Sequence, residues 1–429
     1  MKMIRRIGWG ISDQAFSSLT NFALGALVAR AVAPAQFGAF TLAFATYTLC
    51  LSLSRSITSE PLVIRKSAVD LADWKAGTAS ASGVSLVLGL VGGAGCIVAG
   101  NIVGGTLGDA LIPLGIMLPG LLVQDLFRNA FFARRKGAWA FANDFVWALA
   151  MFSAIGLVLA RGDGSVSSFV LIWGGSAAVA ALFGMLQARV LPRPQRALLW
   201  WREQKDLIPS LLGEIGALTG SRQLALYGIG AVVGLAGVGG MRGALLLLGP
   251  LNIIFMGTRI MAVPEAVRLL NRSVDRFRTA IRVLFLGLAG TTFLWMVVLL
   301  FLPHDIGVSI LGRTWEPARH LLIPLAIADA AHGGQFAGVI GLRALAAAKR
   351  SFKAKLAVSV LLVVGGISGA FLGGIEGAAW GKAIAQTIGV WLFFRQLEIA
   401  IGERVSGKEG SSGNVRKPSL VPALGSRAD

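Results

Sequence analysis

Ten of the charged or titratable residues that fall inside otherwise apolar stretches of this chain stand out. Arg55, Arg128, Arg222, Arg259 and Arg343 supply guanidinium groups; Asp13, Glu60, Glu214, Asp329 and His332 supply carboxylates and an imidazole. Guanidinium is planar, permanently charged and forked, so it suits phosphate and carboxylate groups. The carboxylates would balance that charge or carry a coupling ion, and a histidine beside an aspartate could carry a proton. A charge in hydrocarbon costs a few kcal/mol or more unless it faces water or a partner, so each is a candidate for function. The pattern points to a wet, cationic cavity that takes an anion out of bulk water.

Spacing sharpens several of these. Thr41, Thr48, Ser52, Arg55 and Ser59 step by seven, four, three and four residues, which keeps one helical face. A hydroxylated stripe ending in arginine suits a water-filled cleft; the competing reading is Ser/Thr packing between helices, with Arg55 reaching for the headgroups. Arg55 is ten residues inside Arg65, roughly 15 Å at the helical rise, which is deep for simple snorkelling. Glu60 precedes Pro61, where a kink is expected; Arg55, Arg65 and a residue of another helix such as Arg128 all remain as its partner. Asp13, Ser17 and Asn21 form another polar face at four-residue steps, with Asp13 either in the site or merely interfacial. Asp125 and Arg128, three apart, read as a local ion pair. Arg222 lies well beyond the start of its span and has far to snorkel in either direction. Asp329, His332, Phe336, Val339 and Arg343 follow a three–four pattern along one edge. Arg30 and Arg242 sit near helix ends and read as snorkelling. Among the deep groups arginine outnumbers acid.

The elements that must position these residues are membrane helices. Of the 429 residues 55% are hydrophobic and only 14% charged, where a soluble domain carries about a quarter charged. Apolar runs of about twenty residues recur along nearly the whole chain. Continuous runs argue helices, since a membrane barrel would show short alternating segments. About twelve spans are expected: 11–33, 37–64, 80–101, 107–131, 139–160 and 166–190, then 207–230, 238–262, 279–302, 318–344, 353–374 and 377–399. Residues 1–190 and 207–399 form two six-helix lobes, 191–206 a basic cytoplasmic linker, and 400–429 a disordered cytoplasmic tail. The lobes echo each other: Asp13 and Gly38 correspond to Glu214 and Gly240, and Arg55 before "EP" to Arg259 before "PE". A parallel repeat is a common transporter plan.

The net charge of +19 would suggest nucleic acid in a soluble chain, but the basic residues sit in alternate loops. Arg65, Lys66, Lys75, Arg134–Lys136, Arg193–Lys205, Arg268–Arg278 and Lys349–Lys355 mark one side. The loops "APAQ", "GNIVGGTLGD", "RGDGS" and "GGIE" mark the other, with "PHDIGVSILGRTWEPAR" as the exception. This alternation expects both termini in the cytoplasm. Cys50 and Cys96 lie in apolar runs, so disulfide and metal chemistry are not expected. "MKMIRRIGWG" lacks a cleavage pattern and reads as the flank of a first helix. No Walker loop, metal cluster or nucleophile elbow stands out, and the chain is not expected to be an enzyme.

The opening segment "WGISDQAFSSLTNFALGALVARAVAPAQFGAFTLAFATYTL" resembles the N-terminus of polysaccharide-type flippases of the multidrug/oligosaccharidyl-lipid/polysaccharide transporter superfamily. The likeness rests on the polar face of Ser17, Ser18 and Asn21, the Arg30–Ala31 step, a short turn and "FGAF" at Phe37–Phe40, and covers about the first 65 residues. It implies an all-α, V-shaped, two-lobed integral membrane protein working by alternating access in the bacterial cytoplasmic membrane. Its implied cargo is a polyprenyl-diphosphate-linked oligosaccharide for envelope or extracellular polysaccharide. Arg55, Arg128, Arg222, Arg259 and Arg343 would then hold the diphosphate, and Asp13, Glu60, Glu214, Asp329 and His332 would balance or couple. No cofactor is expected, with H+ or Na+ coupling left open; membrane lipids and polysaccharide assembly proteins are the expected partners, and nucleic acid is not. A cation-coupled drug or metabolite antiporter of the same superfamily is the alternative, and a membrane polymerase or glycosyltransferase a more distant one.

Overall fold

The computed structural model describes residues 2–162, 164–215 and 219–407. In chain order its α-helices are α1 (Lys2–Ala31), α2 (Pro34–Ile57), α3 (Ser59–Lys66), α4 (Leu71–Val103), α5 (Gly105–Ala133), α6 (Gly137–Arg161) and α7 (Val166–Ala188). They continue with α8 (Ala197–Gln204), α9 (Ile208–Ile215), α10 (Ser221–Leu247), α11 (Pro250–Arg272), α12 (Val274–Leu300), α13 (His304–Leu311), α14 (Trp315–Arg319), α15 (Leu322–Ala344) and α16 (Ala348–Val405). The fold is all-α, as expected, and no strand occurs among the described residues.

Local chemistry sets the helix ends. Pro34 opens α2 from the first turn, where its missing N–H is not needed, while the Ala33 N–H donates to Gln36 Oε1 at 3.2 Å. Asp70 caps α4 by accepting from Asp73 N at 2.8 Å, and Ser165 and Ser273 cap α7 and α12 in the same way.

Eight helices among the described residues are long and apolar enough to cross a membrane. Two of them reverse within their length. α10 breaks at Gly234, whose φ of 74° is open to glycine at little cost. α16 breaks at Gly373 and Gly374 and folds back as a hairpin: a Cβ on Gly369 would lie 2.1 Å from the Gly377 oxygen, and one on Gly381 1.9 Å from the Gly365 oxygen. α15, interrupted by Asp329, His332 and Gln335, is not among the eight. The number of helices is therefore not the expected number of spans. α16 also runs further than expected. Its last turns, up to Val405, bury Ala400 and Ile401 and pair Arg350 with Glu403, so the helix outlasts the expected boundary at 399.

Lipid offers no hydrophobic driving force between helices, so close packing of small residues must hold them. Gly93 of α4 approaches Gly115 of α5 in this way. One buried cluster joins the first half to the connection that follows it, around Trp74, Phe127, Phe131 and Trp200, and another lies wholly in the second half around Phe277 and Phe393. A third joins the halves, bringing Phe37, Phe40 and Trp173 together with Met241, Leu311 and Trp315. At the end away from the basic loops, α2 crosses α10 backbone to backbone. A Cβ on Gly38 would meet the Leu235 oxygen at 1.8 Å, and one on Gly239 the Pro34 oxygen at 2.1 Å. The long loop "PHDIGVSILGRTWEPAR" is folded here into α13 and α14, which bury Leu311, Trp315 and Ala318. Between them Thr314 Oγ1 donates to the Ala29 oxygen of α1 at 3.4 Å.

Candidate functional site

Five charged groups from four helices meet in the first half. Arg55 of α2 grips Asp125 of α5 with both arms of its guanidinium; the Nε–Oδ2 arm measures 2.9 Å. Arg128, one turn along α5, does not pair with Asp125. It donates to Asp13 Oδ2 of α1, and its Nε lies 2.9 Å from Asp144 Oδ2 of α6. Asp13 is 1% exposed and the Asp144 side chain 6%. Asn129 donates to Asp125 Oδ2 at 3.1 Å, and Gln124 to Asp144 Oδ1 at 3.0 Å. Asn143, which accepts from Gln124, donates to the Ala180 oxygen of α7. Asp13 Oδ1 is buried with no hydrogen-bond donor among the described residues.

This network faces a cavity of about 380 Å³ lined by Arg55, Ser59, Glu60, Val63, Ile64, Arg128 and Asn129. The Arg55 side chain is 38% exposed to it, and Glu60 shares its wall. The hydroxylated stripe leading to Arg55 is only partly available. Thr41 and Thr48 donate to the carbonyls of Phe37 and Phe44 on their own helix, both at 2.8 Å. A small second cleft beside Asp144 is lined by Ser17, Thr20 and Asn21, the polar face expected on α1.

Two expectations change here. Asp125 and Arg128 are not a local pair: each turns to a different neighbour, because Arg128 satisfies two carboxylates across helices while Asp125 takes a bidentate arginine. Nor does arginine outnumber acid in this half, where Asp13, Asp125 and Asp144 face Arg55 and Arg128.

In the second half the balance is reversed. Gln335 of α15 donates to Gln386 Oε1 of α16 at 2.6 Å, and Gly338 and Gly341 abut Phe393 and Leu397. The partners advance in the same direction along both helices, so α15 and the last limb of α16 run parallel, with Asp329 and Lys382 both on the stretch before the Gln335–Gln386 contact. Arg222 is exposed; Asp329, His332 and Lys382 are half-buried. The Arg242 guanidinium does not snorkel but lies 5.3 Å from the Phe44 ring centroid across the interface between the halves. Among the described residues, none of Arg222, Arg242 and Lys382 forms an ion pair with a carboxylate.

Of the expected site residues, Asp13, Arg55, Glu60 and Arg128 come together in the first half; in the second, Asp329 and His332 lie one turn apart on α15 and Arg222 is in the first turn of α10. Arg343 is exposed in the last turn of α15. The side chains of Glu214 and Arg259 lie outside the described residues. Asp144 and Lys382 are additions. Asp144 stands within the first turns of α6, where it reads as a headgroup-level residue, and only the cross-helix contact marks it. Lys382 had a signal, as a lone cation among the small residues "GAAWGKAIAQ".

No family model matches the chain, and no curated protein sequence does. Solved structures do share its fold. An inward-facing multidrug resistance MATE transporter of the MOP superfamily superposes with a TM-score of 0.69 at 14% identity, over 92% of this chain and 96% of that one. The lipid II flippase MurJ in an inward closed conformation gives 0.65 at 12%, over 93% and 91%. A MOP superfamily transporter from Pyrococcus furiosus, described as having a binding pocket of reverse polarity, gives 0.54 at 13%, over 94% and 96%. The chain is thus a multi-pass membrane protein with the fold of MOP-superfamily transporters.

Proposed function

We propose that this protein is a flippase that moves a polyprenyl-diphosphate-linked oligosaccharide across the bacterial cytoplasmic membrane, by alternating access between two six-helix lobes. The observation that carries the reading is the trio of Arg222, Arg242 and Lys382, cations on second-half helices that have no ion-pair partner among the described residues. A charge at membrane depth that lacks a partner is expensive, and a mobile anionic head would relieve that cost during each cycle. The diphosphate docks between these cations and the exposed face of Arg55, with the basic loops on the cytoplasmic side where such a cargo is made. Arg55 is held by Asp125, so the diphosphate must compete for it, which favours reversible capture over trapping. Polysaccharide assembly proteins would receive the cargo.

The test is flipping in proteoliposomes of a short-chain polyprenyl-diphosphate oligosaccharide, read by the appearance of its sugar on the far leaflet. Arg222→Ala and Lys382→Ala should each lower the rate at least about tenfold, the equivalent of one lost charge-assisted contact. Wild-type rates in both variants, with normal insertion, would remove the anionic-cargo reading.

A second reading has its own support. The first-half network holds three carboxylates on two guanidiniums, and Asp13 keeps an oxygen without a donor among the described residues. That is suited to a coupling H+ or Na+, and to a cation-coupled antiporter. Uptake of an organic cation driven by an imposed ion gradient would favour it.

A further inference from the structure

The helix that carries Arg55 is broken directly beneath it, and the break is held from outside. In a continuous helix the Ile57 carbonyl would accept the N–H of residue 61. Residue 61 is proline, which has no N–H to give. α2 accordingly ends at Ile57, Thr58 takes φ −123° and ψ −66°, and α3 restarts at Ser59. The orphaned Ile57 carbonyl is not left alone: the indole Nε1 of Trp200 donates to it at 2.8 Å. Trp200 is 1% exposed and belongs to α8, in the connection between the two halves. A second tie lies at the far end of α3, where Arg65 donates to the Glu203 carbonyl and pairs with Asp206. On the opposite flank Thr58 Oγ1 donates to the Ser54 oxygen at 2.7 Å and accepts from Ser85 Oγ of α4 at 3.1 Å. The short helix so fixed supplies Ser59, Glu60, Val63 and Ile64 to the cavity wall.

We infer that Trp200 is a positioning residue for the cavity: its indole N–H replaces the backbone donor that Pro61 lacks, and through it the connection between the halves sets the angle of α3 and the reach of Glu60 and Arg55. The connection is the segment that any relative movement of the halves must strain or carry along. A hydrogen bond from it to a helix break transmits that movement to the cavity wall. This holds whatever the cargo is.

The test is a double-mutant cycle between Trp200→Phe and Pro61→Ala, read without transport. In a background with Cys50 and Cys96 replaced by serine, Val63→Cys reports on the cavity wall through its rate of modification by a water-soluble maleimide. Phenylalanine keeps most of the packing and removes only the donor. With Pro61 present, Trp200→Phe should change the labelling rate about tenfold, the scale of leaving one buried carbonyl unsatisfied. With Pro61→Ala the Ile57 carbonyl regains its own helical donor, and Trp200→Phe should then change the rate less than about twofold. Equal effects in the two backgrounds, or none in the first, would overturn the inference. Should Trp200→Phe alone fail to insert, recovery of inserted protein on adding Pro61→Ala supports it, and failure to recover overturns it.

Discussion

Removing Arg128 should cost more than removing any other side chain in the first-half network. The residue stands between two carboxylates, Asp13 and Asp144, that are 1% and 6% exposed and have no other cation within ion-pair distance among the described residues. Taking one partner from a buried ion pair destabilises by about 3–5 kcal/mol. A second route gives the same scale for one carboxylate and so an upper bound of about twice that for both. Freed of arginine, each carboxylate can escape its charge by taking a proton, and an aspartate of ordinary pKa, about 3.9, pays about 4 kcal/mol to do so at pH 7. Arg128→Ala should therefore lose about 3–5 kcal/mol in mixed-micelle unfolding followed by tryptophan fluorescence. The loss should shrink as pH falls, by up to about 1.4 kcal/mol per unit for each carboxylate, because a protonated acid needs no partner. The triple replacement Asp13→Asn, Arg128→Leu, Asp144→Asn should recover most of it, since removing all the charges also removes their desolvation cost. An Arg128→Ala loss below about 1 kcal/mol, a loss independent of pH, or a triple variant no better than the single one would refute the reasoning.

Two further outcomes follow from the same geometry. Asp125→Asn weakens the grip on Arg55 and frees its guanidinium for cargo. On the flippase reading the half-saturating concentration of the anionic substrate should fall several-fold and the maximal rate should drop as release slows, both visible in the proteoliposome assay. Gly38→Ala puts a methyl group where the Leu235 carbonyl stands, at 1.8 Å from an ideal Cβ, so the two halves must part at the end away from the basic loops. Spin labels at Ile102→Cys and Phe301→Cys, on exposed helix ends of the two halves at that side, should report a longer separation than in the unsubstituted chain.

The class of fold was plain from hydropathy, because lipid admits so few ways of satisfying a backbone. Depth was legible at Arg55, which stood too far inside its run to be a surface charge and lies between a cavity and Asp125 of another helix. What the chain could not display was pairing. The three-residue spacing of Asp125 and Arg128 suggested a local bridge, but side chains choose partners by distance in three dimensions, and Asp13 and Asp144 won. The single-helix stripe on α2 overstated what faces the cavity, since threonine can satisfy its hydroxyl on its own helix. Arg242 misled for the opposite reason, its place near a turn concealing an aromatic neighbour from the other half. Trp200 carried no signal of its role: nothing in its sequence surroundings names the proline 139 residues earlier whose missing donor it supplies.

The glycine crossing of α2 and α10 bears on how such a molecule could move. Interlocked side chains act as teeth: to separate them, each must leave its rotamer and shed its contacts. At Gly38 and Gly239 there are no teeth, only two backbones lying against each other. A joint of that kind can slide or part without a cascade of repacking, so its two positions need differ by only a few kcal/mol. That is within what a ligand's differential affinity for two states supplies. Smoothness at this one crossing would leave the choice of conformation to whatever occupies the charged interior.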